Sequence, residues 1–119
     1  MKNNTLLRTW NDELTILESG REMFYGCTSL TTFHGGNLSL LTDGSWMFYQ
    51  CGQLSDVGDF DFSSLEDGEG MFCQCSNLTI KSDLNLPLLT NGESMFSHQN
   101  NLLSCYFHLP SLTNARHMF

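Results

Sequence analysis

The chain has 119 residues, room for one domain, with five Lys/Arg against thirteen Asp/Glu and a net charge of −8. Nine Phe and two Trp separate it from disordered acidic tails, and so few cations exclude a phosphate-gripping nucleic-acid face. No apolar run reaches the roughly 18 residues that a membrane-spanning helix needs, so no membrane insertion is expected.

In chain order, the stretch from Met1 to Trp10 begins with a positive charge but has no apolar run behind it, and does not read as a signal peptide. The dipeptide Met-Phe then starts at Met23, Met47, Met71, Met95 and Met118, at spacings of 24, 24, 24 and 23 residues. Other positions keep this period. Cys27, Cys51 and Cys75 follow four residues after Met, with Gln99 in the fourth place; Leu30, Leu54, Leu78 and Leu102 follow after seven. Leu38, Phe62 and Leu86, then Leu41, Leu65 and Leu89, then Gly44, Gly68 and Gly92 complete the pattern, and Leu6, Leu14, Leu17 and Gly20 fit it in the head. The chain divides into a partial unit 1–22 and units 23–46, 47–70, 71–94 and 95–117, with 118–119 opening another, all within one repeat domain 1–119.

Each unit has a local reading. Asp43-Gly44, echoed by Asp67-Gly68 and Asn91-Gly92, predicts a tight turn with glycine at positive φ. Met47, Phe48 and Cys51, at i, i+1 and i+4, predict a short helical turn facing inward. Leu30–Phe33, Leu54–Val57 and Leu78–Lys81 read as brief extended segments. One unit buries too little to fold alone, whereas stacked units form continuous apolar ladders.

Chemistry-bearing residues are sparse. The three periodic cysteines suit a buried ladder better than zinc, which needs ligands converging on one tetrahedron. His34, His98, His108 and His117 fall at four different repeat positions, and no nucleophile-elbow, zincin or phosphate-loop pattern occurs. No catalytic residue, metal or cofactor is therefore expected. Between Arg21 and Lys81 there is no Lys or Arg, yet that stretch holds eight acids, six of them (Asp56, Asp59, Asp61, Glu66, Asp67 and Glu69) forming a candidate acidic patch. The run from Asp59 lacks the glycine and the bidentate Glu of a calcium loop, so a solvated face is the simpler reading.

The consensus M-F-x-x-C-x-x-L followed by L-x-x-L-x-[DN]-G resembles the BspA-like bacterial leucine-rich repeat, in which Ala-Phe often replaces Met-Phe. The resemblance implies a leucine-rich-repeat solenoid of about five coils, α+β in class. Short parallel strands would line its concave side, with short helical or 3-10 turns on the other. It also implies a protein-binding module of a bacterial surface or host-associated protein, at the cell surface or secreted.

On such a solenoid the residues between ladder positions would meet the partner. With Leu30 and Phe33 inward, the outward set is Arg8, Trp10, Thr32, His34, Asp56, Ile80, Ser82 and Tyr106. An uncapped last coil, Met118-Phe119, would offer a surface for pairing with a second copy, a route to a homo-oligomer. Two other functions fit the charge and the repeat: a small acidic intracellular inhibitor of a basic nucleic-acid-handling partner, and a self-assembling structural repeat.

Overall fold

The computed structural model describes residues 1–58, 61–80, 83–100 and 106–119. Burial follows the repeat. Phe24, Phe48, Phe72 and Phe96 are enclosed, as are Met47, Met71 and Met95, the cysteines Cys27, Cys51 and Cys75, and Leu41, Leu65 and Leu89. The four phenylalanine rings stack nearly parallel, with centroids 5.4–5.8 Å apart. A single continuous core thus runs from unit to unit rather than lying within any one of them.

Units are joined by parallel pairing at two places. At one, β1 (Thr9–Trp10) lies beside β2 (Thr32–Phe33), and β3 (Leu84–Asn85) beside β4 (Phe107–His108), each pair a two-stranded parallel sheet. At the other, single parallel bridges link Ser19, Asp43, Asp67, Asn91 and Asn114 in one row. The described residues contain these short strands, no helix and no closed sheet.

The expected helical turn is not formed, and the hydrogen bonds explain why. An α-helix sends successive N–H groups to the carbonyl four residues back. Here the N–H groups of Met47, Tyr49 and Cys51 each reach back three residues, to Gly44, Trp46 and Phe48. The alternate ones, from Gly44, Trp46, Phe48 and Gln50, donate instead to Asp67, Glu69, Met71 and Cys73 of the next unit. Ser45 N–H completes the set by donating to the Asp43 carboxylate. Every donor from 44 to 51 is thus satisfied, half of them between units. The alternation requires left-handed residues: Glu22, Trp46, Gly70, Ser94 and His117 share one such position (φ 51–58°), and Gly26, Gln50, Gln74 and His98 the other (φ 61–70°). For the non-glycine residues this costs roughly 1 kcal/mol each, offset by the bonds it permits.

The repeated glycine also has a different reason from the expected one. Gly20, Gly44, Gly68 and Gly92 are absent from the positive-φ residues. A β-carbon on each would instead stand 2.7–3.2 Å from the sulfur of Met47, Met71, Met95 or Met118 in the following unit. Glycine is required there by close packing, not by turn geometry.

The head is displaced by one residue from the expected alignment. Trp10 pairs with Phe33, 23 residues on, and not with His34. Leu6 is accordingly 87% exposed, while Leu7 packs on the core. A one-residue slip exchanges inward and outward side chains.

Candidate functional site

The residues expected to face a partner separate into groups. Trp10 turns inward as a result of the slip: it is half-buried, meets Phe24 edge-on at 5.1 Å, and donates its indole N–H to the Asp12 carbonyl. Ile80 is half-buried against the core, and Thr32 is half-buried within β2. Arg8, His34 and Tyr106 are exposed, Tyr106 to 81%. Ser82 and Asp59 lie outside the described residues.

His34 and Asp56 are brought together. His34 Nε2 lies 3.5 Å from Asp56 Oδ2, a contact that becomes an ion pair when the imidazole is protonated, and Asp56 Oδ1 accepts the Gly58 N–H at 2.9 Å. His34, Glu13 and Asn11 line a shallow groove of about 300 Å³ with Gly35, Gly36, Val57 and Gly58.

The acidic residues do not form one patch. Asp56 bridges to Thr32, whereas Asp67 belongs to the other row, bridged to Asp43 and Asn91. Several are occupied structurally. Asp61 accepts the Ser63 N–H, and hydrogen bonds from the Ser63 side chain and backbone hold its carboxyl below the ordinary range. Asp67 Oδ1 accepts from Glu69 N–H and Asn91 Nδ2. For Asp43, burial acts to raise the pKa, but hydrogen bonds from Ser45 and Ser19 and the charge of Arg21 outweigh it and leave it lowered.

The cysteine row is more than a set of small apolar fillers. The thiols of Cys51 and Cys75 donate to the Phe24 and Phe48 carbonyls of the preceding unit, at 3.1 and 3.0 Å, and Cys27 donates to Met1 in the same way. Gln99, the departure from the pattern, continues the row by donating its amide to the Phe72 carbonyl. Burial pushes the Cys51 thiol up to about 12 and the Cys75 thiol well above its usual value. These groups are protonated donors, poorly suited to nucleophilic work. Met118 is buried and packs on Gly92, so of the terminal pair only Phe119 is open, 66% exposed and stacked on Phe96 at 6.0 Å.

A surface outside the expected set lies on the outer side of the Met-Phe turns. Tyr25 and Tyr49, from the same repeat position, have ring centroids 4.8 Å apart, and Trp46 meets Tyr49 edge-on at 5.2 Å. Trp46 can lie across the next unit because Gly70 stands there; a β-carbon on Gly70 would run into the indole. At the other end, Lys2 Nζ sits 4.7 Å from the Tyr25 ring centre and pairs with Glu22. The signal was present in the repeat: Tyr follows two residues after both Met23 and Met47.

A model of the BspA type leucine rich repeat region matches residues 5–117, in six copies. The chain belongs to the BspA-type leucine-rich repeat family. Membership points to a repeat module for protein interaction, and agrees with units that bond mainly to their neighbours. No curated protein and no solved structure matches the chain. Among the described residues no helix is long and apolar enough to cross a membrane.

Proposed function

We propose that the chain is a non-catalytic, protein-binding solenoid of the BspA type, a recognition or adhesion module of a bacterial surface or host-associated protein. One observation carries this reading. Inter-unit bonds and burial consume the same positions in unit after unit, so the side chains that differ between units, including Arg8, His34, Asp56 and Tyr106, are left at the surface. Constant ladders with varied exposed positions are how repeat proteins present a recognition surface. The test is quantitative capture of surface proteins from bacterial and host cells, comparing the native chain with an Arg8→Ala/His34→Ala/Tyr106→Ala variant of matched thermal stability. A partner retained by the first and lost by the second is the expected result; equal capture by both would remove this surface from the function.

The cation-free stretch from Glu22 to Ile80 favours a second reading, an acidic inhibitor occupying a basic channel on its target. That binding would weaken steeply with added salt, and salt-insensitive binding would reject it.

A further inference from the structure

We infer that the Tyr25–Tyr49–Trp46 row is a docking surface for a lysine-bearing, cationic segment of a protein partner. The inference rests on the protein-binding reading and names the chemistry of what one part of the surface holds.

The chain itself shows how the row takes an ammonium group. Residues 1–3 imitate the end of a Met-Phe turn: Met1 accepts the Cys27 thiol as Phe24 accepts that of Cys51, and Asn3 N–H donates to Tyr25 as Gly26 N–H donates to Tyr49. Lys2 therefore stands one rung before Tyr25. Its ammonium lies over the Tyr25 ring and pairs with Glu22, a cation held by an aromatic face and a carboxylate together. The same pairing of groups recurs beyond it. Trp46 shares its repeat position with Glu22 one unit back, and its N–H donates to the carbonyl of Glu69 one unit on. The indole is thus flanked by units bearing carboxylates, while Tyr49 and Trp46 remain partly open. No cation of the central stretch competes, since none occurs between Arg21 and Lys81. An aromatic surface between carboxylates favours a cation over an apolar or anionic partner.

The experiment uses fluorescein-labelled hexalysine and its fully N-acetylated form, with binding read by fluorescence anisotropy on the full chain. The native chain should bind hexalysine and not the acetylated peptide. Trp46→Ala/Tyr49→Ala should weaken binding about five-fold or more, while Glu18→Gln, a charge removed from an exposed residue elsewhere, should change it little. Lys2→Ala leaves the row intact and frees Tyr25 and Glu22. It should tighten binding about two- to five-fold beyond Arg116→Gln, which removes the same charge at the far end of the chain. Circular dichroism checks folding, and the Lys2 arm does not depend on the aromatic variant's stability. Equal weakening by the aromatic and Glu18 variants would mean general charge attraction and overturn the inference. So would equal binding of the acetylated peptide, no added gain from Lys2→Ala, or no binding by the native chain. Failure here with partner capture still lost in the Arg8/His34/Tyr106 variant would leave the protein-binding reading standing without this site.

Discussion

The two sides of each unit are held together differently. On the Met-Phe side, Phe24, Phe48, Phe72 and Phe96 each donate to the methionine carbonyl of the next unit, and their rings stack without a break. On the other side the strands are two residues long, and β1 and β4 pair at offsets of 23 residues where Thr32 and Asp56 pair at 24. The first side repeats its chemistry and carries stability. The second tolerates change in sequence and register, and with it come the exposed His34 and Tyr106. A repeat protein can thus be rigid along one side and variable along another, with no change in period.

The largest expected effect would break this contrast. Phe48→Ala removes an enclosed ring stacked on both sides and should cost about 3–5 kcal/mol, whereas Phe107→Ala, at a half-buried position in β4, should cost under about 2 kcal/mol. Urea titration compares the two; equal losses would show that both sides carry stability alike.

Gly44→Ala should come next, at about 1–3 kcal/mol, because its β-carbon would stand 2.9 Å from Met71 Sδ. Since no positive φ is involved, the penalty should belong to that contact. In a Met71→Ala background, adding Gly44→Ala should cost almost nothing, and a double-mutant cycle measures the coupling. Additive losses would instead place the cost in the backbone.

The cysteine row gives an alkaline signature of the same side. Cys51 has its pKa raised to about 12, against about 9 for an unfolded thiol. A raised folded pKa favours the fold fully below the unfolded value, and that stability is lost as pH rises toward the folded one. Urea midpoints should therefore fall between about pH 9 and 12, and fall less steeply in Cys51→Ala. A slope unchanged by the substitution would show that Cys51 does not contribute to it.

The period, the core and the family were legible because the same apolar side chain returns at each ladder position, as with Met47 and Met71 or Leu41 and Leu65. The helical turn was misread because whether Phe48 N–H bonds locally or outward depends on the neighbouring unit, which a local pattern does not contain. The glycine was misread for a related reason: an Asp-Gly pair has the same letters whether it serves a left-handed turn or a methionine sulfur. Trp46 stands where other units have Glu22, Gly70, Ser94 and His117, so a comparison by period discards it. The residues that vary between units are the ones a repeat search treats as noise, and they include the surface aromatics.

The smallest effect concerns the bridge row, where one junction lacks a donor. Asn114 Nδ2 donates to Asn91 Oδ1 at 3.0 Å, and Asn91 Nδ2 to Asp67 Oδ1 at 3.1 Å. Asp67 and Asp43 are bridged in the same way, but an ionised carboxylate only accepts, so two like charges meet in adjacent units. Asp67→Asn would keep the acceptor used by Glu69 N–H and Asn91 and turn an amide donor toward Asp43. It should raise stability by about 0.5–1.5 kcal/mol at pH 7, read as a higher urea midpoint. Asp43 has a lowered folded pKa, so its own contribution is present above the unfolded carboxylate value near 3.9 and lost as pH falls through the folded one. The gain from Asp67→Asn should fade over that acidic range, as Asp43 loses the charge that accepts the new bond. Asn91→Asp, which removes a donor and adds a third carboxylate to the row, should lower the midpoint. If Asp67→Asn left it unchanged at pH 7, the row would be held by its backbone bridges alone.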